Sequence, residues 1–147
     1  MTNAFVLVAA FAFLGQHAHT PGGMDFDQDK TVHHFRLAQD GGAIEIEVRD
    51  PANVTLRDTV RMHLRHLAQE FAAGTFDKPF ATHGETPDGV PDMIRLKDGI
   101  GYGFENTKNG GRVRIRAAGR AARAAVHAFL RYQIREHATG DPLTVKK

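Results

Sequence analysis

The stretch TVHHFRLAQDGGAIEIEVR, residues 31–49, contains the pattern that decides the fold. On both sides of its centre, apolar and polar side chains alternate, which is typical of strands with one buried face. In residues 43–49 isoleucine and valine occupy every second position, and the residues between them are charged. The central Asp40-Gly41-Gly42 is a turn signal, so the stretch predicts an antiparallel β-hairpin.

An amphipathic helix is predicted directly after this hairpin. Apolar residues recur at helical spacing from Leu56 to Phe71, and Gly74 ends the run. Thr55 and Asp58 resemble a capping box, which predicts the helix start, and Asp50-Pro51 is an alternative, earlier start.

The same order of elements then repeats. Residues 100–116 alternate again around the turn Asn109-Gly110-Gly111, and a second amphipathic helix is predicted over about residues 120–138, with Gly140 as its stop. The sequence therefore predicts an α+β fold of two layers, a (ββα)x2 arrangement. A four-stranded antiparallel sheet carries both helices on one face.

Residues 75–98, between the two halves, are predicted to form a long loop. Loops of this length in compact domains are usually functional or disordered. Two interpretations stay open: a working surface that includes His83, or a packed cover anchored by Phe76, Phe80 and Met93.

Composition excludes several kinds of chemistry. The chain has no cysteine and no serine, which removes disulfides, thiolate metal sites and the Ser-His-Asp and Cys-His mechanisms. No complete catalytic motif is present, so an enzyme is not the favoured interpretation. Basic and acidic residues nearly balance, at 19 and 17, so nucleic acid is not an expected partner.

An apolar run from Ala4 to Leu14 precedes the first charged residue, Asp25. The run has the length of a signal-peptide core and is too short to span a bilayer. We therefore expect a signal peptide over residues 1–18, a periplasmic or secreted protein, and no membrane association after cleavage. A flexible segment is expected over 19–30, a single domain over 31–141 and a tail over 142–147.

Four blocks carry a resemblance to a known family: VHHF at 32–35, FAAGTF at 71–76, PxGVP at 87–91 and AVHxFLRYQIxEHxTGD at 125–141. Together they resemble a family of small exported bacterial proteins of no established activity. The resemblance implies an exported location and this style of fold, and no mechanism. Some members are labelled aspartate carbamoyltransferase, which this sequence does not support, because a carbamoyl-phosphate site needs a serine-containing loop.

Histidines are the chemistry most worth following, since there are nine of them. His63, His66 and Glu70 lie along one flank of the first predicted helix, where two imidazoles and a carboxylate predict a Zn²⁺ or Cu²⁺ site. His33 on the adjacent strand and His83 in the long segment are candidates to complete it. The alternative is that these side chains are half-buried boundary residues with ordinary hydrogen bonds.

His137, in the last turn of the second helix, is interpreted differently. An imidazole at a helix C-terminus interacts favourably with the helix dipole, so no ligand is needed to explain it. We therefore do not include it among the candidate metal ligands.

The open face of the sheet suggests a second function. Gly101 and Gly103 would flatten a middle strand, as happens where a partner approaches closely, so a protein-interaction or homodimerising module without metal is the alternative. Arg112, Arg114 and Arg116 form a row that either binds an anion or pairs with glutamates across strands. A metal-dependent hydrolase is a third hypothesis.

Overall fold

The computed structural model describes residues 24–145. The signal peptide expected over residues 1–18 lies outside the described residues. Residues 24–30, expected to be flexible, contain a single 3-10 turn, Gln28–Lys30, and Phe26 packs against the core. No helix in the described part of the chain is long and apolar enough to span a membrane.

Four strands form one antiparallel sheet, as the alternation predicts. They are β1 (Thr31–Ala38), β2 (Gly41–Val48), β3 (Ile100–Thr107) and β4 (Gly110–Ala117). Their order across the sheet is β1-β2-β4-β3, so β2 and β4 are central and β1 and β3 are the edges. The prediction of a four-stranded α+β fold is confirmed.

Two long helices, α1 (Val54–Ala73) and α4 (Gly119–Glu136), cover one face of this sheet. α1 begins at Asn53, whose side-chain oxygen accepts a hydrogen bond from Leu56 N at 3.1 Å. The predicted capping box at Thr55 is therefore wrong. Asparagine is the stronger N-cap residue, and here it precedes the threonine.

The core between helices and sheet consists of the residues that the helical spacing and the strand alternation predict to be buried. The fully buried residues of α1 and α4 are Val60, Leu64, Phe71, Val126, Phe129 and Leu130, and those of the sheet include Ile46, Val113 and Ile115. Tyr102 and Phe104, on the edge strand β3, are partly buried against them.

The segment predicted as a long loop contains two short helices, α2 (Asp77–His83) and α3 (Val90–Arg95). Phe76 and Met93 are buried, as a packed cover requires, whereas Phe80 is 53% exposed. Gly89 lets α3 approach α4 closely, because a Cβ there would lie 2.2 Å from the Ala125 carbonyl oxygen. Elements of six or seven residues show too few turns for the sequence to reveal a period.

The end of α4 also differs from the prediction. Ala138, with φ of 48°, takes the left-handed conformation that ends the helix, two residues before Gly140. Thr139 N donates to Ile134 O at 3.2 Å across this turn, as in the usual Schellman ending.

The two halves of the sheet are related by a local twofold axis. At the centre of the β2–β4 pairing Ile44 lies opposite Val113. On one side Gly41 faces Arg116, and on the other side Gly110 faces Glu47. The repeat of elements seen in the sequence is therefore also a repeat in space.

The helices follow the same relation. Arg61 on α1 donates from Nε and Nη2 to the two carbonyl oxygens that flank the second hairpin turn, at 2.8 Å each. His127 on α4 donates from Nε2 to the two that flank the first turn, at 2.9 and 3.0 Å. Arg61 and His127 are therefore equivalent positions. Residues that lie the same number of positions after Arg61 on α1 and after His127 on α4 are equivalent as well. These pairs are Leu64 with Leu130, His63 with Phe129, Leu67 with Gln133 and Phe71 with His137.

Candidate binding site

Four histidines from four elements surround one cavity between the helix layer and the sheet. His33 comes from β1, His63 from α1, His83 from the end of α2, and His137 follows α4. The cavity has a volume of about 40 Å³, and most of the remaining lining is apolar. A space of this size holds roughly two or three water molecules.

The strand periodicity puts His33 at this cavity. In β1, residues at every second position face the helices, and His33 shares that face with Phe35 and Leu37. The ring of His33 lies 5.7 Å from that of His137 and 6.3 Å from that of Phe26, measured between centroids.

His63 is the most buried of the four, with 2% of its surface exposed. Burial lowers the pKa of His63, because the charged imidazolium is poorly solvated there, and the nearby Asp25 carboxylate only partly opposes this effect. Nδ1 of His63 lies 3.5 Å from Asp25 Oδ2, beyond normal hydrogen-bond length. The imidazole is therefore neutral near pH 7, the form that binds metals.

His83 is held by a buried amide. Its Nε2 lies 3.0 Å from Gln133 Oε1. Since an amide oxygen only accepts, Nε2 carries the proton and Nδ1 keeps its lone pair. Gln133 is 4% exposed, and its Nε2 has no hydrogen-bond partner among residues 24–145. A buried donor left without an acceptor is costly and is expected to have a purpose.

The ring of His137 lies between those of His83 and His33. Its centroid lies 5.1 Å from that of His83, 5.7 Å from that of His33 and 5.3 Å from that of Phe35. His137 thus occupies the middle of a row of imidazoles.

α2 forms one wall of the cavity through Lys78, Pro79, Thr82 and His83. Left-handed glycines flank this short helix, Gly74 before it and Gly84 after it. Side-chain bonds secure the helix, among them the ion pair of Lys78 with Glu70 and the hydrogen bond of His83 with Gln133.

Three of the five predicted ligands, His33, His63 and His83, therefore line the same cavity. His66 does not reach it, because its side chain is on the exposed side of α1. Glu70 pairs with Lys78 instead. A spacing of three residues places two side chains on the same flank of a helix. Here the boundary of the core lies between them, because His63 is buried and His66 is exposed.

No group of three histidine, aspartate or glutamate side chains in residues 24–145 is close enough together to hold a metal ion as the rings now stand. The histidines meet at a cavity, but their nitrogen atoms do not yet point to one centre.

Sequence reasoning missed His137 and Gln133. A signal lies in the comparison of the halves, because the equivalent residues on α1 are Phe71 and Leu67, which are buried apolar residues that also line the cavity. The sequence does not reveal this difference, because equivalent residues are separated by a different number of positions in the hairpins than in the helices. The contacts of Arg61 and His127 with the two hairpin turns show which helix residues are equivalent.

The open face of the sheet shows charge pairing. Arg112 Nε donates to Glu45 Oε2 at 3.1 Å, and Arg36 Nη2 to Glu45 Oε1 at 3.4 Å. Arg114 pairs with Asp40, and this guanidinium is the main cause that holds the pKa of Asp40 below its usual value. The arginine row therefore bonds to carboxylates within the chain.

The glycines of the open face are not where the sequence interpretation placed them. Gly101 and Gly103 belong to β3, an edge strand and not a middle strand. Both are exposed, and a Cβ at either would have no atom within 4 Å.

The chain matches no protein-family model, no curated protein and no solved structure. Roles for its residues therefore come from their geometry alone.

Proposed function

We propose that this chain is a small exported binding protein that takes up a transition metal ion, Zn²⁺ or Cu²⁺, in the cavity lined by His33, His63, His83 and His137. The observation that carries the proposal is the meeting of these four imidazoles, from four separate elements, at one small space. Export rests on the apolar run Ala4–Leu14.

The size of the cavity favours an ion over an organic ligand. Pockets for small organic molecules measure about 300–1,000 Å³, whereas this one has a volume of about 40 Å³. An ion with one bound water fits such a space. A hydrolase would also need room for a substrate beside the metal, which makes that hypothesis the weakest of the three.

The separations between the rings also suit a shared ion. A Zn–N bond of about 2.1 Å and a tetrahedral angle place the centroids of two ligand imidazoles roughly 5 Å apart. The centroids of His83 and His137 are 5.1 Å apart, and those of His33 and His137 are 5.7 Å apart. Rotation of the rings about their side-chain torsions, without movement of the backbone, is the rearrangement that binding requires.

Protonation is favourable as well. Metal ligation needs neutral imidazoles, and burial keeps His63 in that form near pH 7. The proton on Nε2 of His83, fixed by Gln133, leaves Nδ1 as the ligand atom. Gln133 then acts as the outer-shell residue that orients His83.

Calorimetry with Zn²⁺ and Cu²⁺ on protein purified without a His-tag tests this function. His17 and His19 are replaced by alanine throughout, to exclude their contribution. We expect one ion per chain and a loss of affinity of at least about 100-fold in the His83→Ala/His137→Ala variant, since loss of an outer-shell partner alone costs 10–100-fold.

His66→Ala is the matched control, because His66 lies on the same helix as His63 but outside the cavity. It should bind like the parent protein. Equal binding by the double variant and the parent, with circular dichroism showing both folded, would exclude the cavity as the site.

The alternative function, a protein-interaction module, has one observation in its favour: the exposed glycines of β3 lie in an edge strand. Edge strands can pair with another chain. This function does not compete with metal binding, because the two sites lie in different parts of the fold.

A further inference from the structure

The two edge strands of the sheet, β1 and β3, expose equivalent backbone groups. A two-residue turn is flanked by a residue pair that is hydrogen-bonded between the strands. Along both strands from there, hydrogen-bonded and non-hydrogen-bonded pairs alternate. Phe35 opposite Ile44, and Phe104 opposite Val113, are each the third pair away from such a flanking pair. Both phenylalanines are thus in non-hydrogen-bonded pairs, so their N–H and C=O groups point away from the sheet.

The edge at β1 is covered by the C-terminal tail of the chain. Phe35 N donates to Asp141 Oδ2 at 3.0 Å, and His34 Nδ1 lies 3.0 Å from Asp141 Oδ1. The tail then continues beside α4, where Arg131 Nε donates to Leu143 O at 2.8 Å. The chain therefore covers this edge with a segment whose carboxylate accepts a hydrogen bond from an outward N–H.

The edge at β3 has no such cover within residues 24–145. Ile100 N, at the start of the strand, donates to Lys97 O, but no described residue bonds to the outward backbone groups of Tyr102, Phe104 and Asn106. Gly101 and Gly103 leave the strand without side chains that would block an approaching segment. Natural edges are usually protected by charge, proline or a covering element, and β3 lacks these between Ile100 and Phe104.

On the helix side of this edge the charge is positive, whereas on the open face β3 carries Glu105, whose Oε2 lies 3.8 Å from Arg112 Nη1. The guanidinium of Arg65 on α1 lies over the ring of Phe104, 4.5 Å from its centroid, and is exposed. Arg61 caps the adjoining hairpin end, and Lys108 is in its turn. A second copy that paired strand to strand here would bring its own α1, and hence its own Arg65, to the same seam, so like charges would face one another.

We propose that the outer edge of β3 binds an extended acidic segment of a partner protein as a fifth strand. The outward backbone groups of Tyr102, Phe104 and Asn106 supply the hydrogen bonds, as in other cases of strand addition. A carboxylate of the partner binds near Phe104 N and Arg65, as Asp141 binds Phe35 N on the equivalent edge.

Amide hydrogen exchange of the full chain, measured by NMR, tests this site. In the free protein the Phe104 amide should exchange at least about 10-fold faster than the Phe35 amide. The probe is an eight-residue capped peptide in which aspartate alternates with valine and threonine, beside a peptide with lysine in place of aspartate. The acidic peptide should slow exchange at Phe104 by at least 10-fold, and the basic peptide should not.

Arg65→Glu should abolish this protection. The matched control is Arg116→Glu, which makes the same charge change on β4, where the side chain is 71% exposed on the open face; it should leave the protection intact. Three results would overturn the proposal: a Phe104 amide as protected as Phe35 in the free chain, equal binding of the basic peptide, or a dimer in sedimentation whose β3 amides are protected.

Discussion

At one end of the helix layer Phe71 packs against Tyr102, with ring centroids 5.8 Å apart. At the equivalent place at the other end His137 packs against His33, with centroids 5.7 Å apart. Phe71 also stacks on Phe76, at 4.3 Å, so its neighbours are aromatic. The ring next to His137 is instead that of His83.

Phe71 lies within α1, whereas His137 directly follows the last residue of α4. The larger difference between the two positions is in their side chains. Imidazoles fill these positions less well than phenyl rings and cost more to desolvate, so packing alone would not select them. Gln133, which replaces a leucine of the other half, adds a buried amide nitrogen without a partner in the described chain. Polar side chains in place of the apolar ones at equivalent positions therefore indicate a site that serves binding more than stability.

The largest effects are expected where the halves agree. A Cβ on Gly41 would lie 2.2 Å from the Ile115 carbonyl oxygen, and one on Gly110 would lie 2.0 Å from that of Ile46. Gly41→Ala and Gly110→Ala should each lower the free energy of unfolding by about 3 kcal/mol, measured by urea denaturation. Gly103→Ala, with no atom near its Cβ, should change it by less than about 0.5 kcal/mol. Gly41 has a φ of 143°, which adds backbone strain for alanine, so its loss should be the larger of the two. A loss below about 1 kcal/mol at either glycine would contradict the close approach of the strands.

Exchange of the equivalent residues on the helices should give opposite results. Gln133→Leu removes the unpartnered amide and should raise the free energy of unfolding by about 1 kcal/mol, while metal affinity falls because His83 loses its hydrogen bond. Leu67 is buried and also lines the cavity. Leu67→Gln therefore places an amide among its apolar neighbours and should lower the free energy of unfolding by about 3 kcal/mol. Urea denaturation and calorimetry measure both. A destabilised Gln133→Leu protein would show that the amide serves the fold.

Acid should reveal the buried imidazole of the first half. The pKa of His63 lies below the ordinary value of 6.5 in the folded state, so the unfolded chain takes up this proton first as the pH falls. The stabilisation is complete above that value and is lost as the pH falls below it. His63→Leu should reduce the loss of stability between pH 7.5 and 5.5 by roughly 1 kcal/mol, measured by urea denaturation at both values. An unchanged loss would contradict a neutral buried His63.

Asp141 acts in a separate window. Burial opposes its ionisation, but hydrogen bonds from Phe35 N, the Thr139 hydroxyl and His34 outweigh burial and lower the pKa of Asp141 below 3.8. Its contribution is therefore present above that value and lost only in stronger acid. It does not interfere with the measurement on His63.

The smallest effect concerns the two helix ends. α1 ends in a left-handed glycine, Gly74, and α4 ends in a left-handed alanine, Ala138. Ala138→Gly should raise the thermal midpoint slightly, by about 0.5 kcal/mol in stability, because relief of the strained φ exceeds the added chain entropy. Gly74→Ala is the reverse change and should lower stability by about 1 kcal/mol. A drop in stability for Ala138→Gly would show that this alanine is not strained.

The elements predicted from sequence are those long enough to show a period. Strands of eight residues and helices of 18 and 20 residues repeat their burial pattern several times. The helices α2 and α3 do not, and their glycine and proline flanks indicate a loop instead. Helix ends were predicted less well, since Asn53 and Ala138 act through side-chain and backbone geometry that a pattern does not encode.

The candidate site was predicted in part, for a comparable reason. Strand alternation and helix spacing place His33 and His63 inward, and the contents of residues 75–98 suggested His83. Helical spacing also predicts His66 beside His63, but burial changes within one flank of a helix, and His66 is exposed. The expected export and its signal peptide stay predictions, as they concern residues outside 24–145.

Imidazole NMR during a titration with Zn²⁺ tests the central claim most directly, because each ring reports its own protonation and ligation. At one equivalent, the ring signals of His33, His63, His83 and His137 should change together. The three described histidines outside the cavity, His34, His66 and His127, should stay as they were. Saturation that leaves the cavity rings unchanged, or that shifts only the outside ones, would contradict the assignment of this cavity as the metal site.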